Sequence, residues 1–498
     1  MNIIRPELLT LSSEQFQALT PLLWVFAGTV VTILASVLRI IQPKWPVFLL
    51  TVLTCIGGIC LSSKGMKMEP MSLFSGMMVS DAYGHFFGIV FLASAGLTAL
   101  CSLRYLDDEK LQHPEYYVLL LFSALGMMLM ASSLDLIVLF IALELMSLVV
   151  YILVGFRRTD RRSNEAAVKY FILGSAASAV LLYGAALLYG ATGSTGIKEI
   201  SHYIQSHPEG ISPVFVLGTA LVLFGFLFKV ASVPFHMWMP DVYEGAPAPV
   251  TGFMTTGLKA AAFAAFIRVF VALGYGKGAS TFIQGHVHDI LYVSAVLTMA
   301  LGNFVALKQS NLKRMLAYSS IAHTGYLLVG MIAGPNSELG FSSAVMYLVS
   351  YAIMNLGAFA ILTLLAARAD TGLSLHDFSG VAQRHPWLAF AMSVFLLSMA
   401  GIPPTAGFAA KYLVFYSAVQ AHEIPLVIIG VLCSAVSVYY YLRVIVFMYM
   451  HDPVGSPAVR RVSVWSGFAV IAMVLLTFEI GVLPSRLMSA AKKVVMSL

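Results

Sequence analysis

Apolar runs of about twenty residues, each bounded by charge, proline, glycine or polar clusters, follow one another along almost the whole chain. Coiled as an α-helix, a run of that length matches the hydrocarbon thickness of a bilayer, whereas membrane β-strands read as ten-residue segments of alternating polarity. In hydrocarbon every backbone N–H and C=O must be satisfied inside the protein, which leaves a helical bundle. Composition agrees: 59% of the 498 residues are hydrophobic and 10% are charged, against roughly 25% charged in soluble domains. A water-soluble fold is excluded, and the fold class expected is an all-α polytopic membrane protein.

The windows number about fourteen, centred near residues 31, 55, 92, 123, 144, 178, 223, 260, 296, 323, 354, 404, 437 and 474. Loop Lys and Arg residues orient such a bundle. With the N-terminus outside, the inner loops hold sixteen bases: Arg39, Lys44, Arg104, Lys110, Arg157, Arg158, Arg161, Arg162, Lys169, Lys308, Lys313, Arg314, Arg368, Arg384, Arg460 and Arg461. The outer side holds eight: Arg5, Lys64, Lys67, Lys198, Lys277, Arg486, Lys492 and Lys493. Both termini are therefore expected outside. Residues 1 to 19 carry Arg5, Glu7 and Glu14 and do not read as a cleavable signal peptide. Cys55, Cys60, Cys101 and Cys433 all lie in apolar runs without ligand spacing, so they are expected as buried small hydrophobes rather than as a disulfide, cluster or zinc site.

The remaining five bases, Lys229, Lys259, Arg268, Lys411 and Arg443, fall within spans. A charge at the bilayer centre costs on the order of 2.5–3.5 kcal/mol, so an unneeded one is rare. Arg268 and Arg443 lie toward span ends and read as snorkelling or as paired with backbone. Glu144 and Lys259 sit midway along their spans, too far from either end to snorkel. His323 is equally central; a plain interhelical hydrogen bond accounts for it as well as a functional role does.

Lys229 and Lys411 stand beside helix-breaking sequence, Val233-Pro234 in one case and Gly401-Ile402-Pro403-Pro404 in the other. Their parent segments, roughly 212 to 245 and 388 to 421, would measure about 51 Å as straight helices against a core of about 30 Å. Both are expected to be discontinuous, because proline removes a backbone donor and strips a carbonyl of its partner. The two lysines are 182 residues apart (229 to 411) and five spans apart. An odd offset reverses membrane direction, so spans four to eight and nine to thirteen are expected to form an inverted pair of five-helix units. The boundaries are 113–275 and 286–451, flanked by a three-helix segment 1–112 and a last helix with tail in 462–498. Buried Glu and Lys tuned toward neutrality can pass protons, and lysine is a poor ligand for a metal cation.

Three stretches carry a family likeness. They are Lys229 through Pro247, Gln309 through His323, and Gly401 through Lys411. Together they resemble the antiporter-like membrane subunits of respiratory complex I, the bacterial NADH–quinone oxidoreductase, over nearly the whole chain. The chain ends soon after the fourteenth span, without the lateral helix of the largest paralogue, and carries Lys411 where the middle paralogue usually has Glu. The resemblance implies that Glu144 and Lys229 form an ion pair, that Lys259 is a central relay, that Lys411 gates release or uptake, and that His323 links two halves. It also implies no cofactor in this chain, with FMN, iron–sulfur clusters and quinone held by partner subunits. The expected setting is a hetero-oligomer with other membrane-arm subunits in the bacterial inner membrane.

Two other readings stand beside this one. A Na+/H+ antiporter subunit of the same superfamily would show the same motifs, and a fourteen-span solute carrier would need a roomy central pocket with convergent polar groups. Asp135 reads as the cap of the fifth helix. His236 and Glu244 can line a water entrance, and the five tryptophans (Trp24, Trp45, Trp238, Trp387, Trp465) read as interface anchors.

Overall fold

The computed structural model describes residues 12–37, 44–206, 211–275, 281–453 and 462–498. Of the residues read for topology, Arg5, Glu7, Arg39, Lys277, Arg460 and Arg461 lie outside these ranges, as do the side chains of Lys44 and Arg368. The chain begins with α1 (Ser13–Val37) and α2 (Lys44–Gly65), then a small antiparallel hairpin, β1 (Met71–Leu73) and β2 (Met78–Ser80). There follow α3 (Ala82–Asp108), α4 (Glu115–Ser132), α5 (Leu136–Val154), α6 (Arg161–Thr192) and a short α7 (Ile197–Ser206). Next come α8 (Pro213–Lys229), α9 (Trp238–Gly245), α10 (Ala248–Phe253), α11 (Lys259–Ala272), α12 (Thr281–Leu307), α13 (Leu312–Ala333) and α14 (Gly340–Leu365). The last part holds α15 (Val381–Arg384), α16 (Pro386–Ala400), α17 (Ala406–Gln420), α18 (Ile424–Met450), α19 (Val464–Val482) and α20 (Pro484–Val495).

Among the described residues, twelve helices are long and apolar enough to cross a membrane, counting α10 and α11 as one. Two shorter apolar helices, α8 and α16, fall where the two broken segments are expected. Among the described residues the hairpin, with a few isolated β-bridges, departs from an all-helical reading; it fills the α2–α3 connection, which has no apolar run. The α10–α11 rod, α13 and α14 form the buried centre, and α1, α6 and α18 present most of their surface outward.

Local chemistry sets the ends. Asp135 accepts from the backbone N–H of Ile137 (2.8 Å) and Val138 (3.1 Å), capping α5 as its sequence predicts. Asn311 does the same for α13, and α8 and α16 open with proline, whose missing N–H is no loss there. Close packing also depends on glycine. Gly184 of α6 and Gly218 of α8 face each other so closely that a Cβ on Gly218 would lie 3.0 Å from the Gly184 carbonyl oxygen.

The two breaks share a backbone. Ala231, at φ 56°, stands three residues before Pro234, and Gly401, at φ 88°, stands three before Pro404. Corresponding positions are thus 170 residues apart (231 to 401, 234 to 404). The lysines stand differently at the two breaks: Lys229 precedes its break and Lys411 follows its own, so the 182 residues between them differ from the 170 between the two breaks.

Several charges expected at the surface are inside. Arg268 does not snorkel: it forms a buried bidentate pair with Asp81, both contacts 2.8 Å, under the Tyr83 ring. Arg157 and Lys313, expected as loop markers, are buried as well. Both surround Asp370, in the connection after α14, which also accepts from Tyr105 (3.0 Å) and from the Ala248 N–H (2.8 Å). Arg443 does pair with backbone, donating to the Leu307 and Gln309 carbonyls at the end of α12. Cys60 is exposed while the other three cysteines are buried. Trp24 sits mid-helix with its indole N–H on the Thr54 carbonyl, and Trp238 is buried at the α8–α9 break, so neither is an interface anchor.

Burial opposes ionisation of Asp370, but Lys313, then Arg157, and the hydrogen bonds from Tyr105 and Ala248 outweigh it and hold the carboxyl below the usual carboxylate range. A depressed pKa contributes stability above the unfolded-state value, about 3.9, and that contribution is lost as pH falls through the folded value. Protease nicking of the connection from 366 to 375 is therefore expected to stay at its neutral level down to about pH 4 and to rise only in stronger acid. Replacing Gly218 with Val is expected to cost about 1–3 kcal/mol through overpacking against α6, read as a lowered melting temperature of the purified protein.

Candidate functional site

Lys229 is the last residue of α8, and its ammonium donates to Ser147 Oγ at 2.9 Å. Ser147 lies one turn beyond Glu144 on α5. The charge of Glu144 reaches Lys229 electrostatically, yet the two make no direct ion pair. Oε1 of Glu144 is buried without a hydrogen-bond partner. The ammonium, with three protons to place, has one such bond, and the carboxylate has a free acceptor close by.

The carbonyls released by the break are taken up by side chains. Trp238 Nε1 donates to the Phe228 carbonyl (3.2 Å), and Thr324 Oγ1 of α13 donates to the Val230 carbonyl (2.8 Å). From α12, Thr298 Oγ1 accepts from the Val233 N–H (2.9 Å) and Ser294 Oγ donates to the Val233 carbonyl (2.9 Å). An irregular backbone inside the bundle is thereby satisfied, as a membrane interior demands.

Thr324 also touches the next lysine. Lys259 follows a single π-helical turn, Met254–Leu258, of the kind that often marks functional positions in helices. Its ammonium donates to the Ser320 carbonyl (2.6 Å), Ser320 Oγ (2.6 Å) and Thr324 Oγ1 (3.0 Å), which uses all three protons. It also lies 5.2 Å from the centre of the Tyr351 ring.

His323, on the same helix face region, sits in a cage of tyrosines. Its Nδ1 is 2.6 Å from the Tyr347 hydroxyl and its Nε2 is 3.2 Å from the Tyr441 hydroxyl. Tyr441 continues to Ser319. The Tyr351 ring, which also faces Lys259, is 4.9 Å from the imidazole, and Tyr326 is 5.7 Å away. A neutral imidazole donates at one nitrogen and accepts at the other, so each hydroxyl neighbour can serve either direction of transfer.

Lys411 lies on the far side of Tyr326, 5.1 Å from its ring centre. It donates to the Met399 carbonyl (2.9 Å), the Ala400 carbonyl (3.2 Å) and Ser434 Oγ (2.9 Å). The two carbonyls are those exposed at the C-terminus of α16, where the helix dipole favours a cation. Met399 holds the position corresponding to Lys229 under the 170-residue offset.

All five sequence-predicted residues therefore lie inside the bundle. Lys259, His323 and Lys411 are joined through the rings of Tyr351 and Tyr326, Thr324 links Lys259 to the Val230 carbonyl next to Lys229, and Glu144 lies one turn from the Ser147 that holds Lys229. The pocket a solute carrier would need does not gather them, since each lysine is held by partners on a different pair of helices. Sequence reasoning missed the connecting residues Ser147, Ser320, Thr324, Tyr326, Tyr347, Tyr351 and Tyr441. Ser320 and Thr324 flank His323 one turn apart on α13, a polar face in an otherwise apolar span that was readable; the tyrosines carry no such signal. Glu244 is held by Arg314 (2.8 Å) beside a polar cavity of about 210 Å³ lined by Arg162, Glu165, Lys169, Asp241 and Glu244, and Nδ1 of His236 is buried without a partner.

Residues 133–437 match the family model described as NADH:quinone oxidoreductase/Mrp antiporter, TM. The chain is 45% identical over 430 residues to NADH-quinone oxidoreductase subunit N of Trichlorobacter lovleyi, covering 85% of this chain and 86% of that protein. It is 42% identical to the subunit of the same name from Myxococcus xanthus over 511 aligned positions, covering 96% and 97%. A chain of respiratory complex I from Thermus thermophilus with bound aureothin superposes with a TM-score of 0.79 at 33% identity, covering 94% of this chain and 98% of that one. The matched region contains every helix that carries Glu144, Lys229, Lys259, His323 and Lys411, and the chain belongs to the NADH:quinone oxidoreductase and Mrp antiporter family of membrane subunits.

Proposed function

We propose that this chain is a proton-translocating membrane-arm subunit of an NADH–quinone oxidoreductase, of the subunit N type, and that Glu144, Lys229, Lys259, His323 and Lys411 are its relay. One observation carries the reading: Glu144, Lys229, Lys259, His323 and Lys411 follow one another across the bundle with hydroxyl and tyrosine side chains beside each lysine and the histidine. Ser147 holds Lys229, Thr324 joins Lys259 to the Val230 carbonyl just past Lys229, the Tyr351 ring lies between Lys259 and His323, and the Tyr326 ring lies between His323 and Lys411. Each lysine donates to at least one hydroxyl, and a hydroxyl that accepts can also donate onward, so each station has a group able to take up or pass on its proton.

Roles follow from the surroundings. Glu144 and Lys229 exchange charge, because Lys229 has protons to spare and the Glu144 carboxylate, one turn from the Ser147 that holds it, has a spare acceptor. Lys259 is the saturated central station. Lys411, held by carbonyls at a break, is the terminal one. The polar cavity beside Glu244 is the entrance on the basic end, since Arg162, Glu165, Lys169 and Asp241 line it with charge next to α9.

The repeat belongs to this reading: two five-helix units, 113–275 and 286–451, related by inversion and flanked by 1–112 and 462–498, with the matching breaks in support. The chain then sits in the bacterial inner membrane with both termini on the periplasmic side and the arginine-rich end inside. It has no redox centre of its own. Moving one charge against 100 mV costs about 2.3 kcal/mol, which this chain cannot generate; FMN, iron–sulfur clusters and quinone in partner subunits supply it. The family model also spans Mrp antiporters, so a Na+/H+ antiporter subunit is the second reading. Partners that co-purify with flavin and clusters favour the first; small membrane subunits alone favour the second.

In assembled complex, Lys259→Ala and the double change of Glu144 and Lys229 to Ala are expected to cut proton pumping by about tenfold or more in inverted vesicles, with NADH oxidation by an artificial acceptor retained. Full pumping in the double variant sinks the relay. Lys259→Arg is the sharper probe. A guanidinium keeps the charge and the donors but does not release its proton, so pumping is expected to fall as far as with alanine.

A further inference from the structure

A cluster of buried charge at the basic end takes no part in the relay. Asp370 follows Ala369, and both adopt left-handed backbone, φ 50° and 56°, which turns the connection after α14 inward. The carboxylate arrives at the N-terminus of α10 and accepts from the Ala248 N–H at 2.8 Å through Oδ2. The same oxygen is 3.3 Å from the Lys313 ammonium, and Lys313 also donates to the Ala246 carbonyl at 2.5 Å. Lys313 is the second residue of α13.

One ion pair thus ties the start of the rod that carries Lys259 to the start of the helix that carries Ser320, His323 and Thr324. From Ala248 to Lys259 the rod rises about 16 Å, and from Lys313 to Ser320 and Thr324 about 10–16 Å. The three short bonds of Lys259 hold only if those two helices keep a common register. The connection is itself strapped down: Leu312 and Leu375 exchange backbone bonds with Leu373 and Ser310, each 2.9 Å, and the Glu109 carboxylate accepts from the Ala369 N–H.

We infer that Asp370, with Lys313, is a positioning residue for the relay: it sets the axial register between the Lys259 helix and the Ser320–Thr324 face. The inference rests on the relay reading. The charged and titratable groups that face Asp370 are Lys313 of α13, Arg157 of the α5–α6 connection and Tyr105 of α3, while Glu109 and Asp160 face Arg157. Removing the carboxylate charge leaves Lys313 and Arg157 buried with less compensation and loosens both helix starts at once.

The test uses assembled complex in inverted vesicles, with assembly checked by native gel. Asp370→Asn keeps an acceptor for the Ala248 N–H and removes the charge. It is expected to retain NADH oxidation by an artificial acceptor while protons pumped per NADH fall by about half or more and the pH profile of pumping moves by about one unit. Asp370→Glu is expected to restore most of the pumping. Lys313→Gln, which can still donate to the Ala246 carbonyl, is expected to show the same loss as Asp370→Asn. Parental pumping and pH profile in an assembled Asp370→Asn or Lys313→Gln variant overturns the inference, as does failure of both to assemble, which assigns the pair to folding alone. Pumping that is normal in Lys259→Ala instead overturns the relay reading, so the two failures are distinct.

Discussion

An ammonium placed in hydrocarbon has three protons and no water, and the rest of this bundle is arranged around that demand. Lys259 meets it with a carbonyl and two hydroxyls of one helix face, and Lys411 with two carbonyls that only a broken helix leaves free. The breaks are therefore not weaknesses beside the lysines. They supply acceptors that an intact helix keeps for itself. Where the demand is left unmet, at Lys229, a carboxylate with an unpaired oxygen stands nearby.

The same logic explains which parts were legible in the sequence. Apolar runs, proline-marked breaks, the Asp135 cap and the five central ionisable groups all follow from residue type and spacing, and the bundle places each where those rules put it. What escaped was partnership. Arg268 reads as a snorkelling base because nothing near it in sequence pairs with it; its partner Asp81, the cap of α3, lies 187 residues away in sequence. Arg157 and Asp370 come from two connections and Lys313 from the start of α13, far apart in sequence, so their cluster exists only once the bundle has closed. The tyrosine cage around His323 is invisible for a similar reason, since a tyrosine in an apolar span is ordinary until its hydroxyl is seen to face an imidazole.

Charge is thus distributed in two tiers. Balanced pairs at the ends, Asp81 with Arg268 and Asp370 with Lys313 and Arg157, fix where helices begin and finish. Between them, groups without a direct counter-charge occupy the middle. Breaking a buried pair costs about 3–5 kcal/mol because it strands the partner, so the end pairs resist change. A lysine held by neutral hydroxyls has no such obligation and can gain or lose its proton without orphaning an anion.

The matching breaks bear on how the two halves are compared. Aligned on their backbones, Lys229 corresponds to Met399, yet the ammonium of Lys411 reaches back across the turn to the Met399 carbonyl. Both breaks therefore have a cation beside them, delivered from opposite half-helices by different residues. A column-by-column alignment of the halves would record a lysine against a methionine and miss the likeness. What the two breaks have in common is a positive charge beside an interrupted helix, supplied by a lysine before one break and by a lysine after the other.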